Sequence, residues 1–298
     1  MNQYGYSFRC MASPCELTLC GEEQHRTDRI AQTCIREARR FEQKYSRYLD
    51  HSITSQINSA AGQHSTDIDQ ETHAILSFAG VCYAQSGGLF DITSGVLRRV
   101  WNKHIKSLPE WTELKSCLDL IGWSKVDLSD NSIYLPMKGM ELDFGGVVKE
   151  YAVDALTVMA KKLGIVHGLI NLGGDIGIIG PRPGGEPWPI GIVHPQNKDT
   201  AIATIELTSG AITTSGGYER YFEIDGTKYS HLVNPKTGWP VESLQSVTIA
   251  ADKAIVAGSI SSIALLKNET ESLDWLQASG AAYLAIDNNL RCYGFLAD

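Results

Sequence analysis

Four short stretches of this 298-residue chain carry the residue types and spacings that could do chemistry. In residues 230–240, SHLVNPKTGWP, His231 leaves an extended run just before a tight turn. Asn234 and Pro235 fit the first two positions of a type I turn, and Gly238 follows it. A histidine fixed beside a rigid turn is a candidate general base, and a packed strand histidine is the plain alternative. In residues 142–150, LDFGGVVKE, a strand is expected to end at Asp143, with a helix beginning after Gly145 and Gly146. Backbone N–H groups at such a helix entrance attract anions, and Lys149 adds a positive charge in the first turn. The plain reading is a tight connection with a solvated lysine. In residues 86–95, SGGLFDITSG, small residues surround Phe90 and Asp91 and could wrap an aromatic ligand or simply stop a helix. In AITTSGGYER, Thr213, Thr214 and Ser215 precede two glycines and could meet a phosphate or satisfy a turn.

These residues need elements to position them. Residues 4–20 read as a strand or strand pair interrupted at Pro14. Ile30, Cys34, Ala38, Phe41 and Tyr45 recur at three or four residues, which predicts a helix over about 27–46. Residues 50–70 read as a polar loop. A second helix, ETHAILSFAGVCYAQ, is stopped by Gly87 and Gly88. A short helix is expected within 105–125 and a hairpin around Asp130 and Asn131. After Gly146, Val148, Ala152, Ala155, Met159 and Leu163 define one helical face, ended by Gly164. Strands then dominate: GLINLGGDIGIIG, WPIGIVHP, TAIATIELTSGAITTSG, and YFEIDGTKYSHLV with Asp225 and Gly226 as a two-residue turn. The glycines of NLGGDIGIIG do not fit the dinucleotide pattern and lie between strands. ADKAIVAGSISSIALL reads as a helix with Asp252 as its N-cap, and AAYLAIDNNLRCYGF as a closing hairpin. Irregular alternation predicts an α+β fold with antiparallel sheets, and no linker divides residues 1–298, so a single compact domain is expected.

Apolar content of 43% with 20% charged residues describes a globular chain. A net charge of −8 argues against a nucleic-acid partner, which requires a clustered basic face. No apolar run approaches the length of a membrane-spanning helix, and the N-terminal residues do not have the pattern of a signal peptide. Seven cysteines without a Cys-x-x-Cys pair predict reduced thiols and a cytoplasmic location.

Taken in order, MASPCELTL, YSRYLDHSITSQIN, SGGLFDITSGVL, LDFGGVVKEYAVDAL, NLGGDI, TSGGYERYFEIDGTKYSHLVNPKTGWPV and VTIAADKAIVAGSISS resemble the ApbE family of FAD:protein FMN transferases. The resemblance runs from Met11 to about Leu266. It implies a compact α+β domain related to the T-fold group, FAD as substrate and Mg²⁺ as cofactor. It further implies transfer of FMN to a Ser or Thr of a target protein carrying a Ser/Thr-Gly-Ala-Ser/Thr motif, with release of AMP. By the same resemblance His231 is the base, in a family motif where Asn234 stands for the usual Asp. Met11, Tyr48, Leu89, Phe90, Asp91, Asp143, Lys149 and Val233 match positions that line FAD. Gly146, Ser261 and Ser262 match the metal site, but the family's Asp ligand falls on Gly258. That departure keeps two alternatives open: a non-catalytic FAD-binding homologue, and an FAD pyrophosphatase using water in the same pocket. It also leads to the expectation that Gly258→Asp raises activity.

Overall fold

The computed structural model describes residues 1–102, 104–217 and 221–296. The chain opens with an antiparallel hairpin, β1 (Asn2–Cys10) and β2 (Ser13–Gly21), whose break falls at Met11 and Ala12 and not at Pro14. Both turn residues have positive φ, 50° and 58°. α1 (Gln24–Tyr45) buries the expected stripe of Ile30, Cys34, Ala38, Phe41 and Tyr45. The next segment departs from the polar loop expected of it. Ser52 accepts from the Ser55 N–H and starts α2 (Ile53–Ala60), which buries Thr54, Ile57 and Ala60. Two turns of helix with so few apolar positions leave little periodicity to read.

β3 (Thr66–Asp67), α3 (Gln70–Gln85) and α4 (Trp111–Leu118) follow, then the hairpin β4 (Asp127–Leu128) and β5 (Ser132–Tyr134). No regular strand precedes Asp143. Glu141 makes an isolated bridge to Ser94, and the Asn58 side chain then stands in for a strand partner. Asn58 Nδ2 donates to the Leu142 carbonyl at 3.1 Å, and Leu142 N–H donates to Asn58 Oδ1 at 2.7 Å.

α5 (Val148–Lys162) buries Val148, Glu150, Ala152, Val153, Leu156, Thr157 and Ala160. Of the expected face, Val148 and Ala152 are buried, Ala155 and Met159 pack half-buried against the core, and only Leu163 is on the surface. α5 is wedged between α1 and the sheet, so its buried arc is wider than one apolar stripe. The remaining strands are β6 (Gly168–Leu172), β7 (Asp175–Gly180), β8 (Trp188–His194), β9 (Asn197–Leu207), β10 (Ala211–Gly216), β11 (Tyr221–Ile224), β12 (Thr227–Ser230) and β13 (Ser246–Ala251). α6 (Ala254–Leu266), α7 (Glu269–Ser279), β14 (Ala282–Ile286) and β15 (Cys292–Tyr293) complete the chain.

An eight-stranded antiparallel sheet in the order β1-β2-β6-β7-β10-β13-β14-β15 organises the fold, as the α+β reading expects. α1, α5 and α6 lie on one face. The β8–β9 ribbon covers the other, closing Trp188, Ile190, Ile192 and Ile205 over Ile176, Ile178 and Ile212. Covered on both faces, β7 is buried at every residue.

The start of α6 differs from expectation. Its N-cap is Lys253, with no side-chain cap from Asp252. The Asp154 carboxylate of α5 instead accepts from the N–H groups of Ala254 and Ile255, at 2.8 and 3.1 Å. Asp154→Ala is therefore expected to cost about 0.5–2 kcal/mol, the worth of a lost helix cap, measurable by urea unfolding. Asp252→Ala should change stability little.

A charged network ties α1 to the N-terminus of α3. Lys44 meets Asp69 and Glu71 at 2.6 and 2.9 Å, and Arg40 meets Glu71 at 2.6 Å. Burial alone would raise the Asp69 carboxyl, but the Lys44 ammonium and the Thr72 donors more than offset it and hold it at about 2. A carboxyl lowered in the folded state stabilises fully above its ordinary value of 3.8, and that contribution is lost as pH falls towards 2. Asp69→Asn keeps the helix cap and should flatten the loss of stability in that window, followed by acid titration of the unfolding midpoint.

Candidate functional site

A cavity of about 400 Å³ opens where α1, α5 and α6 meet the edges of β2, β6 and β10. Two larger concavities, of about 880 and 630 Å³, lie along the β1–β2 hairpin and beside β12. Neither contains Asp143, Lys149 or His231, so the smaller cavity is the chemically equipped one.

Its rim is built from local geometry. Asp143 Oδ1 accepts from the Gly145 N–H at 3.0 Å, which bends the chain through Gly145 and Gly146 into α5. α5 begins without a side-chain cap, and Gly145, Gly146, Val148 and Lys149 all line the cavity. The positive end of the helix therefore faces the space where an anion would sit. Asp143 Oδ2 meets Arg47 Nη1 at 2.6 Å, and the Arg47 guanidinium carbon lies 5.2 Å from the centre of the Tyr48 ring. Tyr48 is 75% exposed, a free aromatic face at the entrance. Met11 reaches the cavity from the left-handed turn of the first hairpin, its N–H donating to Glu42 Oε1 at 2.7 Å.

The floor is charged. Lys149 Nζ lies 2.8 Å from Asp175 Oδ2, whose side chain is 3% exposed. Beside it Glu150 is 7% exposed, and its Oε2 is buried without a hydrogen-bond partner. Burial first, then the nearby Asp175 charge, push the Glu150 carboxyl up, with Lys149 partly opposing them. Ser215 of β10 and Ser262 of α6 add hydroxyls.

His231 enters from the end of β12. The turn behind it is locked: Asn234 Oδ1 accepts from the Lys236 N–H at 2.9 Å, and Gly238 N–H donates to the Asn234 carbonyl at 2.8 Å. Trp101 Nε1 donates to the Gly238 carbonyl at 2.7 Å, and the Trp101 ring packs on Phe222, Tyr229 and Trp239. Residues 218–220 of the stretch quoted with this segment lie outside the described residues.

Of the residues singled out in the sequence, Met11, Tyr48, Asp143, Gly146, Lys149, His231 and Ser262 line this one cavity. Leu89, Phe90, Asp91, Val233 and Ser261 do not. Phe90 packs beneath Gly146, 3.6 Å from where a side chain there would begin. Asp91 is turned into its own loop, accepting from Thr93 N–H, Thr93 Oγ1 and Trp123 N–H at 2.8, 2.6 and 3.0 Å. Val233 bridges to Pro240 in the turn. The Ser261 hydroxyl is engaged by Ser215 at 2.8 Å and by the Gly258 carbonyl at 3.0 Å. Arg47, Glu42 and Glu150 join the lining without having been picked out from sequence. Each sits in a helix or loop where a charged residue reads as solvated, and no local signal marks it.

The ApbE family model matches residues 11–285. An FAD:protein FMN transferase of Klebsiella pneumoniae is 28% identical over 258 residues, covering 85% of this chain and 78% of that protein. One from Treponema pallidum is 27% identical, covering 71% and 64% respectively. Among solved structures, the ApbE protein of Thermotoga maritima superposes with a TM-score of 0.91 at 29% identity, covering 98% of this chain and 97% of its own. The flavin transferase ApbE of Vibrio cholerae has a TM-score of 0.85 at 20% identity, covering 99% and 98%, a likeness of fold.

Proposed function

This chain belongs to the ApbE family, and from that premise we propose that it is an FAD:protein FMN transferase acting in the cavity between Asp143, Lys149 and His231. The observation that carries the reading is the convergence of separate stretches on one space: the helix entrance with Lys149, and His231 on its locked turn. A diphosphate needs positive charge and N–H donors, and a hydroxyl nucleophile needs a base within reach.

The reaction follows from those parts. The hydroxyl oxygen of a target Ser or Thr attacks the phosphorus on the FMN side of the FAD pyrophosphate. A new P–O bond forms, the bond to the bridging oxygen breaks, and AMP leaves with that oxygen. The hydroxyl proton passes to the His231 imidazole. Lys149 and the α5 N-terminus offset charge on the phosphates, and the Tyr48 ring offers a face to the flavin or adenine. The target motif Ser/Thr-Gly-Ala-Ser/Thr belongs to this reading, with small residues that allow the hydroxyl close approach. Leu89, Phe90, Asp91 and Val233, which match family positions that line FAD, belong to the FAD site in this reading as well.

Mg²⁺ belongs to it as well. The Gly146 carbonyl, the Ser262 hydroxyl and the buried, unpartnered Glu150 oxygen would supply hard oxygen donors, since all three residues line the cavity. That donor set fits a divalent cation that also takes substrate phosphate oxygens. When bound, the ion would neutralise pyrophosphate charge. Among the described residues no helix is long and apolar enough to cross a membrane. The seven cysteines are all free and six are buried, which supports a reducing, cytoplasmic setting.

The test is a flavinylation assay with FAD, Mg²⁺ and a domain bearing the target motif, read as flavin fluorescence on a denaturing gel with AMP quantified in parallel. A fluorescent target band with equimolar AMP is the expected result. FMN and AMP released without a labelled target would replace the reading with a pyrophosphatase. FAD binding without turnover would replace it with a flavin-binding homologue.

A further inference from the structure

The exchange at position 258 has a counterpart across the cavity wall. Gly258 lies on α6, buried against α5. A Cβ built there would fall 2.5 Å from Glu150 Cγ and 3.2 Å from its Cδ and Oε1. The Glu150 side chain therefore fills the volume that any residue other than glycine at 258 would need. Ser262 lies four residues beyond Gly258, on the same face of α6, and lines the cavity with Glu150. Glu150 Oε2 is buried and has no hydrogen-bond partner. A buried carboxylate oxygen in that state is costly unless the group takes up a proton or a cation completes it.

We propose that Glu150 on α5 supplies the metal-binding carboxylate that α6 lacks at Gly258, holding a divalent cation together with the Ser262 hydroxyl and the Gly146 carbonyl beside the substrate pyrophosphate. The proposal rests on the transferase reading for the position of that pyrophosphate. Its grounds within this chain are the fitted volume, the orphaned oxygen and the shared lining. Among the described residues no three His, Cys, Asp or Glu side chains gather as a metal site. With fewer than three such side chains gathered, tight binding requires the phosphates of the nucleotide. The expectation that Gly258→Asp alone raises activity changes accordingly. The new side chain would displace Glu150, so that variant should lose thermal stability and bind metal less well.

The experiment uses Mn²⁺ as the probe, titrated by electron paramagnetic resonance into the full-length protein with saturating FAD. FAD binding is followed separately by flavin fluorescence. Wild type is expected to take up one tightly held Mn²⁺ only when FAD is present. Glu150→Gln keeps the shape and removes the charge. It should weaken Mn²⁺ at least tenfold, on the order of 1.4 kcal/mol, with FAD binding and melting temperature retained. The double variant Glu150→Gly with Gly258→Asp moves the carboxylate back to α6 and should recover the affinity. Unchanged Mn²⁺ affinity in Glu150→Gln overturns the proposal, as does a folded double variant that fails to recover it. If the double variant does not fold, Glu150→Gln decides alone. Wild type that binds FAD but no Mn²⁺ also overturns the proposal, whereas wild type that binds no FAD overturns the transferase reading beneath it.

Discussion

His231→Ala is expected to slow FMN transfer by about 10²- to 10⁴-fold, the usual contribution of a positioned general base. FAD affinity should stay within roughly threefold, because the lost group acts on the attacking hydroxyl and not on the bound nucleotide. The split between rate and binding is the informative part. His231 lines the cavity, but the turn behind it is held by Asn234 and by Trp101 bonding to the Gly238 carbonyl, none of which the substitution removes. Single-turnover flavinylation against FAD titration measures both quantities. A variant that transfers at the wild-type rate would remove His231 from the mechanism. A variant that loses FAD affinity and melting temperature together would give the residue a packing role instead.

Phe144→Ala is expected to have the largest effect on stability, about 3–5 kcal/mol for an aromatic removed from a packed core. The ring is 1% exposed and lies 5.2 Å from the ring of Tyr45. Its carbonyl accepts from the N–H groups of Val147 and Val148, where α5 begins. Asp143 and Gly145 flank it, so the residue that anchors the core also anchors the rim of the cavity. Urea unfolding should show a lowered midpoint with an unchanged slope. A loss below about 1 kcal/mol would mean that the segment entering α5 is held by its hydrogen bonds and not by this ring.

Much of the fold is legible in the chain. Asp225 and Gly226 take positive φ of 49° and 76°, the conformation their residue types favour in a two-residue hairpin turn. Gly173 and Gly174 do the same between β6 and β7. The stripe of α1 is the one its periodicity predicts. The helix entrance is legible for the same reason: Asp143, Gly145, Gly146 and Lys149 are neighbours in sequence. The misplaced features depend on distant partners. α2 forms where little periodicity is visible, and its Asn58 acts as a strand partner for Leu142, 84 residues away. The cap of α6 comes from Asp154, 100 residues before Ala254. Asp91 and Ser261 look available in sequence, yet their polar atoms are engaged by their surroundings.

The sequence by itself determined the glycine turns of the later hairpins, the stripe of α1 and the short motifs, including the family they resemble. Each rests on φ preferences and on periodicities between residues a few positions apart, which the tertiary environment only modestly alters. The tertiary structure alone decided which charged residues are buried. Glu150 differs from a solvated helical glutamate because its side chain is buried, lying against Gly258 of α6. Desolvation is a property of the space around a group, and that space is filled by residues remote in the chain.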